Sequence, residues 1–360
     1  MPFHLSPRGR GTTLSPGNRF EKEHVESDDA AWEEISKADP DFAPRKISTQ
    51  TIEDHSQSIV SKNDSPDIGF TYSLNPYRGC EHGCSYCYAR PYHEYLGLNA
   101  GIDFESRILV KSRAAELLEE ALAKPSWQPA SLACSGVTDC YQPVEREREI
   151  TRSCLEVLRD FRNPVGIITK NALVTRDLDL LSELADFNAS LVAISLTTLD
   201  SDLAGKLEPR ASRPAARLRA MKELSEAGIP VSVSVAPLIP GLNDHELPAI
   251  MQAAADHGAS FASATVLRLP HAVSDLFTNW LEEHFPDRKE LVLGRIRELR
   301  GGRLNESGFG TRMTGSGPLA TQIQQLIQVS RKRAGLAGTR PSLNTAAFQR
   351  RLPGQLELFS

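Results

Sequence analysis

Three closely spaced cysteines constrain this chain more than any other feature of its sequence. Cys80, Cys84 and Cys87 follow the pattern Cys-x3-Cys-x2-Cys, with Gly79 and Gly83 beside them. Cysteine thiolates are the usual protein ligands of iron–sulfur clusters, so three of them can bind three irons of a cubane cluster. The fourth iron then has no protein ligand in the motif, and an open position is where a catalytic metal centre reacts. The glycines suit a loop that must wrap tightly around such a group.

A structural zinc site is the alternative interpretation of the same cysteines, with His82 or His93 as the fourth ligand. Such a site usually joins two close cysteines to a second, distant pair of ligands, and no second pair follows in this sequence. The spacing therefore favours a [4Fe–4S] cluster, with Cys80, Cys84 and Cys87 as its ligands.

Length, charge and cysteine content limit the class of protein. The chain has 360 residues, 40% of them hydrophobic, which fits one barrel-sized catalytic domain with extensions. Its net charge of −5 gives no general case for nucleic-acid binding, although a local basic surface is compatible with that value. The N-terminus has no long apolar run, so we expect neither a signal peptide nor a transmembrane helix. Six cysteines, with three in one ligand motif, indicate a reducing cytoplasm rather than a disulfide framework.

Strands and helices alternate through the middle of the chain. We predict strands at residues 70–74, 130–134, 165–169, 191–196, 230–236 and 262–269, with helices at 114–123, 145–162, 177–185, 214–227 and 244–257. Further helices are predicted at about 272–284, 287–300 and 319–333. Strands that alternate with helices indicate a parallel sheet, and sites in such folds lie at the C-terminal ends of the strands.

The cysteine motif, with Tyr86 just before its last cysteine, resembles that of the radical S-adenosylmethionine (SAM) superfamily. In that family the open iron binds the amino and carboxylate groups of SAM. Reduction then splits SAM into methionine and a 5′-deoxyadenosyl radical, which abstracts a hydrogen atom. The resemblance implies a [4Fe–4S] cluster and SAM as cofactors, and an electron donor such as flavodoxin or ferredoxin as a partner.

The resemblance also implies the fold, because six strand–helix units are similar to the partial (β/α)6 barrel of radical SAM enzymes. We therefore predict an α/β protein: a barrel of this type, a polar N-terminal arm and a helical C-terminal extension. The arm covers residues 1–65 and is largely irregular, since its sequence is polar and shows little periodicity. The core barrel covers residues 66–300, and the extension with a flexible tail covers residues 301–360.

Five segments resemble the narrower SplB-type group, named for spore photoproduct lyase and often called DNA repair photolyase-like. These segments are residues 75–80, 138–143, 169–171, 176–181 and 237–244. In spore photoproduct lyase, SAM is used to reverse a thymine dimer, and a cysteine near the end of the second strand returns the hydrogen atom. This chain departs from the lyase in its long polar arm, its extended C-terminus and an insertion before Thr138. The resemblance therefore carries over the cofactor but not the thymine-dimer substrate.

Polar and reactive side chains follow the predicted strands, where the site is expected. A lysine at a strand end, such as Lys170, can pair with a carboxylate. The resemblance places Ser135, Lys170 and Ser195 where SAM-contacting side chains lie, and Cys134 near the hydrogen-donating cysteine. The candidate catalytic residues are Cys134 and Cys140, and the candidate cofactor-binding residues are Tyr86, Ser135, Thr138, Asp139, Lys170, Ser195 and Arg210. A free cysteine is also commonly a small buried hydrophobe, so that alternative stays open for both cysteines.

Three functions are compatible with these residues. The first is a radical SAM enzyme acting on a nucleic acid in DNA repair. The second is a radical SAM modifier of a protein or small molecule, and the third is a non-enzymatic iron–sulfur or zinc adaptor in DNA maintenance. Residues Gln355 to Phe359 (Gln-Leu-Glu-Leu-Phe) resemble the peptide by which bacterial DNA polymerases and repair proteins bind the sliding clamp. The clamp is thus a candidate partner, unless the tail packs its apolar side chains on the chain's own barrel.

Overall fold

The computed structural model describes residues 9–21 and 47–350 of the chain. Its strands are β1 (Gln50–Glu53), β2 (Val60–Lys62), β3 (Tyr72–Leu74), β4 (Tyr77–Arg78), β5 (Arg107–Val110), β6 (Leu132–Cys134), β7 (Val165–Thr169), β8 (Ser190–Ser195), β9 (Val231–Leu238) and β10 (Phe261–Val266). Seven of them form one sheet in the order β10-β9-β8-β7-β6-β3-β2, and β1, β5 and β4 form a second, smaller sheet. In the large sheet β3 and β6 to β10 run parallel, while β2 pairs antiparallel with β3.

Helices connect the parallel strands, because parallel neighbours cannot be joined by a tight turn. The α-helices are α1 (Ile102–Ser106), α2 (Ala114–Ala123), α3 (Glu145–Arg148), α4 (Ile150–Asp160), α5 (Leu178–Asp186), α6 (Ser201–Leu207), α7 (Pro214–Glu226), α8 (Leu247–Asp256), α9 (Val273–His284), α10 (Pro286–Leu299) and α11 (Gly317–Arg333). Short 3₁₀ helices cover Arg90–Leu96, Ala172–Asp177 and Asp244–Glu246. Within the described residues none of these helices is both long and apolar enough to cross a membrane.

This architecture confirms the predicted α/β fold with its six parallel strands. The single helix predicted at residues 145–162 is two helices, because Glu149 adopts a left-handed conformation with a φ of 51°. The short strands β2, β4 and β5 were not predicted, since segments of two to four residues show too little alternation to be recognised. In the described part of the chain no ladder joins the edge strands β10 and β2, so the sheet stays open on that side.

Two apolar clusters position the site. The main core packs the large sheet against its helices, and β8 is almost continuously buried, as expected for a parallel strand covered on both faces. A second cluster contains Cys84 and Tyr86 together with Phe277 and Trp280 of α9, whose rings stack 5.4 Å apart. The C-terminal helices α9 and α10 therefore pack against the cysteine-containing loop.

The last described part of the C-terminal extension, residues 344–350, lies at the opposite end of the sheet from the cysteines. The backbone N–H groups of Asn344 and Gln349 donate to the carbonyl oxygens of Asn188 and Phe161, each over 2.9 Å. Both acceptors directly precede parallel strands, so this segment covers the N-terminal ends of those strands. The predicted clamp-binding residues 355–359 lie outside the described residues.

Candidate functional site

The cysteine loop lies between β4 and the 3₁₀ helix Arg90–Leu96. Cys80 and Cys84 are buried and Cys87 is half-buried. Successive turns shape the loop, because the N–H of Gly83 donates to the Cys80 carbonyl and the N–H of Cys87 to the Cys84 carbonyl, over 3.4 and 3.3 Å. The three thiols are close together: besides burial and Asp139, both Cys84 and Cys87 raise the pKa of Cys80 electrostatically.

The three thiols lie close enough together to act as ligands of one iron–sulfur cluster. In residues 9–21 and 47–350 no three His, Cys, Asp or Glu side chains are spaced to chelate a single metal ion. A cubane does not require that spacing, because each thiolate binds a different iron. Burial raises the pKa of all three thiols, that of Cys84 to about 12, so they become thiolates only when a positive group binds them.

A buried ion pair holds the loop in shape. Arg90 and Glu105 are both fully buried, with Nη2 of the arginine 2.5 Å from Oε1 of the glutamate. The Arg90 Nε also donates to the carbonyl of Cys84 (2.9 Å), and Nη1 donates to the carbonyls of Ala100 and Gly101 (3.2 and 3.0 Å). One guanidinium thereby connects the middle cysteine to the segment that leads into α1.

The N-terminal segment, residues 9–21, packs directly on this loop. It contains neither helix nor strand, and it lies within the predicted arm. The N–H of Gly11 donates to Oε2 of Glu105 (2.8 Å), and Nη1 of Arg10 donates to the Glu105 carbonyl (2.5 Å). A Cβ atom added at Gly11 would overlap the carbonyl oxygen of Gly83. Only glycine therefore allows the segment to approach the cysteine loop this closely.

Gly11→Ala is expected to lower the free energy of unfolding by about 1–3 kcal/mol, the usual range for a side chain forced into a packed contact. Urea titration of the purified protein measures this change. Gly294→Ala in α10 is the matched control, because a Cβ atom there meets no atom within 4 Å. Equal stability of Gly11→Ala and the wild type would show that residues 9–21 do not pack against Gly83.

A second set of contacts ties the loop to the segment after β6. The buried side chain of Gln142 accepts from the Glu81 N–H (2.9 Å) and donates to the Gly79 carbonyl (3.1 Å). The Glu81 carboxylate accepts from the Val144 N–H (2.6 Å) and forms an ion pair with Arg210 (2.9 Å). Arg210, predicted to bind the cofactor, thus contacts the cysteine loop through Glu81.

Thr138 and Asp139, also predicted to bind the cofactor, hold strand ends together. The Thr138 hydroxyl donates to the Tyr77 carbonyl (2.7 Å). The Asp139 carboxylate accepts from the Thr169 hydroxyl and the Lys170 N–H, each over 2.7 Å. Burial opposes the ionisation of Asp139, but His82 and these donors outweigh it and hold its pKa at about 2.

Ser135, Cys134 and Cys140 form a compact group at the end of β6. Ser135 takes a left-handed conformation (φ 78°), and its hydroxyl accepts from the Cys140 N–H over 2.8 Å. Both cysteines are buried in the main core, and burial followed by hydrogen bonding with the neighbouring Cys134 thiol raises the pKa of Cys140. These contacts resemble core packing, and a catalytic role for either thiol stays a prediction.

A charged network lies beside the cysteine loop at the ends of β7 and β8. The buried carboxylate of Glu208 accepts from Tyr86, Thr197 and Arg217, with a distance of 2.7 Å to the Thr197 hydroxyl. Burial opposes the ionisation of Glu208, but Arg217 and Lys170 outweigh it and hold its pKa at about 2. The site therefore carries a fixed negative charge next to Lys170.

Lys170 is the cation of this network that is available to a ligand. Its Nζ lies 6.0 Å from the centre of the Tyr86 ring, and among the described residues no carboxylate pairs with it within 4 Å. Burial lowers its pKa, but Cys84 and Glu208 outweigh burial and raise it, so the ammonium stays charged. Ser195, also predicted to bind the cofactor, is the last residue of β8, and its carbonyl accepts from Arg217 (2.9 Å).

Several residues of this site were not among the candidate catalytic or cofactor-binding residues named from the sequence. They are Arg90, Glu105, Gln142, Thr197, Glu208 and Arg217. Glu208 could have been recognised from its position after the fourth predicted strand, two residues before Arg210, which was predicted to bind the cofactor. The others form through pairings between distant segments, which a single sequence does not reveal.

Comparison with known proteins decides the family. The family model described as the radical SAM superfamily matches residues 74–254, about half of the chain, including all three motif cysteines. The chain belongs to the radical SAM superfamily. It is therefore a radical SAM enzyme, and membership implies SAM and an iron–sulfur cluster as its cofactors.

Relatives and solved structures agree with this membership. An uncharacterized protein of Mycobacterium tuberculosis is 35% identical over 234 residues, which cover 64% of this chain and 68% of the relative. One of Methanocaldococcus jannaschii is 29% identical over 224 residues, which cover 62% of this chain and 80% of the relative. Spore photoproduct lyase complexed with dinucleoside spore photoproduct matches with a TM-score of 0.58 and 15% identity over 80% of each chain. A lyase variant with bound AdoMet and the same dinucleoside matches with a TM-score of 0.55 and 15% identity over 80% of each chain. The superfamily and the lyase-like fold predicted from the sequence are confirmed.

Proposed function

We propose that this enzyme binds one [4Fe–4S] cluster through Cys80, Cys84 and Cys87, and uses it with SAM to abstract a hydrogen atom from a nucleic acid. The observation that carries the proposal is the position of two of the three thiols, Cys84 and Cys87, near the ammonium of Lys170, which has no carboxylate partner in the described residues. The chemistry that a reduced cluster supplies in this superfamily is cleavage of SAM into methionine and a 5′-deoxyadenosyl radical.

The chain's own residues bind and orient SAM. Lys170 pairs with the methionyl carboxylate, and Asp139 holds the Lys170 backbone in place through the 2.7 Å bond from its N–H. Burial lowers the pKa of Lys170, but Cys84 and Glu208 outweigh burial and raise it, so the ammonium stays protonated. The apolar residues around Cys84 and Tyr86 exclude water from the loop, which strengthens each of these electrostatic contacts.

Lys170→Ala is expected to weaken SAM binding about tenfold or more, because a charge-assisted contact contributes roughly 1.5–3 kcal/mol. Anaerobic equilibrium dialysis with the reconstituted protein measures the dissociation constant. Lys222→Ala is the control, since Lys222 is exposed on α7 and pairs only with Glu226 of the same helix. Unchanged SAM affinity in a folded Lys170→Ala protein would remove this role.

A nucleic-acid substrate is supported by the lyase-like fold and by the clamp-like tail. The test is deuterium transfer: reduced enzyme, SAM and DNA deuterated at candidate lesion positions are incubated without oxygen, and the 5′-deoxyadenosine is analysed by mass spectrometry. Deuterium in the 5′-deoxyadenosine supports the proposal. Unlabelled 5′-deoxyadenosine with every deuterated DNA would instead favour a protein or small-molecule substrate.

The sliding clamp is a further proposed partner, through Gln355 to Phe359. Arg350, the last described residue, donates to the Trp127 carbonyl (2.9 Å) at the end of the sheet opposite the cysteines. Titration of a peptide covering residues 350–360 against a bacterial clamp tests this proposal. Saturable binding that is lost with Leu358→Ala and Phe359→Ala supports it, and absence of binding removes it.

A further inference from the structure

Exposed aromatic rings form a row immediately after the cysteine loop. Tyr88, Tyr92 and Tyr95 are 46%, 55% and 67% exposed, and Phe20 of the N-terminal segment is 56% exposed. The ring centres of Phe20 and Tyr95 are 4.9 Å apart, and those of Tyr92 and Tyr95 are 6.5 Å apart. Large aromatic rings grouped on a surface mark an interaction site, because each ring leaves apolar area in water.

An arginine with an unsatisfied guanidinium continues this row. Arg268 follows β10. Burial and Arg312 lower its pKa, and Tyr88 and Tyr92 lie close enough to oppose that shift. Its Nε is buried without a hydrogen bond, and within the described residues its Nη1 donates only to the Met313 sulfur, a weak acceptor, over 3.3 Å. In the described part of the chain no carboxylate forms an ion pair with it. A bound anion would satisfy this group.

Two more arginines border the row, and each already forms an ion pair with a carboxylate. Arg312 bonds to Asp67 (2.7 Å), with its guanidinium 4.7 Å above the Phe309 ring. Arg19 pairs with Glu94 (3.1 Å), with its guanidinium 4.7 Å above the Phe20 ring. Arg312 also lies close enough to Arg268 to lower its pKa, after the larger effect of burial. The excess positive charge is therefore centred on Arg268, between the tyrosines and Arg312.

We propose that this surface binds a single-stranded nucleic acid, with bases stacked on the rings and a backbone phosphate on Arg268. We call it the aromatic–arginine strip, and it consists of Phe20, Tyr95, Tyr92, Tyr88, Arg268 and Arg312. Stacking rings combined with cationic side chains are what unpaired strands require, because every base offers a flat face and every linkage offers a charge. The unpaired guanidinium favours this occupant over an apolar protein surface. The proposal rests on the proposed function, since it provides that reaction with its substrate surface beside the cysteine loop.

Binding is measured by fluorescence anisotropy with labelled oligonucleotides of about 12 nucleotides, within the usual site size for single strands. The full chain is used with its cluster reconstituted and without reductant, so that no turnover takes place. Matched DNA and RNA strands are separate arms, and they identify which sugar the strip accepts. Arg268→Gln is expected to reduce the slope of log affinity against log salt by about 0.7, the value for one lost phosphate contact on a single strand.

Tyr92→Ala is expected to weaken binding about fivefold or more at constant salt, as loss of one base–aromatic stack does. The control is Lys222→Gln, which removes one exposed positive charge on α7, and it should keep the wild-type affinity and slope. Urea unfolding of each variant checks that the fold is kept. Absence of saturable binding to both DNA and RNA, or wild-type affinity and slope in Arg268→Gln and Tyr92→Ala, overturns the proposal.

The two proposals fail separately. Formation of 5′-deoxyadenosine by the wild-type enzyme depends on the cluster and SAM, and it is measured without any oligonucleotide. Strand binding depends on the aromatic–arginine strip, and it is measured without reductant. An enzyme that cleaves SAM but binds no strand keeps the radical chemistry and loses the strip.

Discussion

Replacement of Cys80, Cys84 or Cys87 by alanine is expected to abolish both the cluster and SAM cleavage. Each thiolate binds a different iron in the proposed arrangement, so the loss of one leaves a second iron without a protein ligand. Iron and sulfide should fall from about four of each per chain towards zero, and the broad visible absorbance of the reconstituted protein should disappear with them. The rate of 5′-deoxyadenosine formation should fall below detection.

Cys154→Ala is the matched control for these variants. Cys154 is a buried cysteine on α4, outside the motif, so its loss costs packing but no ligand. We expect full iron content and continued SAM cleavage in this variant. A four-iron cluster that still formed in the triple variant of Cys80, Cys84 and Cys87 would show that other residues bind the metal.

Glu208→Gln is expected to destabilise the protein by about 3–5 kcal/mol, the usual effect of removing one partner of a buried ion pair. Arg217 is fully buried, and it would keep its charge without the carboxylate that neutralises it. The substitution keeps the size of the side chain, so the effect is electrostatic rather than a cavity effect. Urea unfolding at neutral pH measures it, and Glu223→Gln, an exposed change on α7, the helix that contains Arg217, should alter stability by less than about 0.5 kcal/mol.

The pH dependence of this difference provides a second readout. The pKa of Glu208 is held at about 2 in the folded protein, below its ordinary value of 4.5. The carboxylate therefore contributes stability at pH values above about 4.5, and that contribution is lost as pH falls towards 2. The stability difference between wild type and Glu208→Gln should be constant near neutral pH and shrink across this acidic range. A difference that did not change with pH would contradict the ion-pair explanation.

The regular part of the fold was predictable because parallel strands and their helices leave long, distinct patterns. β7 has the predicted bounds, residues 165–169, and α2 has the predicted bounds, residues 114–123. The cysteine motif was equally visible, since three ligands of one group lie in one short loop. Local spacing decides all of these features, so one sequence is enough to recognise them.

The supports of the site were not predictable in the same way. The chain contains 41 Lys and Arg and 46 Asp and Glu, and nothing local indicates that Arg90 meets Glu105 or that Arg217 meets Glu208. Arg210 follows a predicted strand, but its ion pair with Glu81 depends on the tertiary fold, and its role in cofactor binding stays a prediction. The contact between Gly11 and Gly83 could not be predicted either, because it depends on how the N-terminal segment packs on the cysteine loop.

SAM cleavage by the reconstituted protein distinguishes a radical SAM enzyme from a protein that only binds a cluster. The purified chain is reconstituted with iron and sulfide without oxygen, reduced, and incubated with SAM, and 5′-deoxyadenosine is quantified against time. We predict formation of 5′-deoxyadenosine and methionine in equal amounts by the wild-type protein, and none by Cys84→Ala treated identically. A wild-type protein that contains a full four-iron cluster and binds SAM, yet forms no 5′-deoxyadenosine under reduction with or without DNA, would contradict the account.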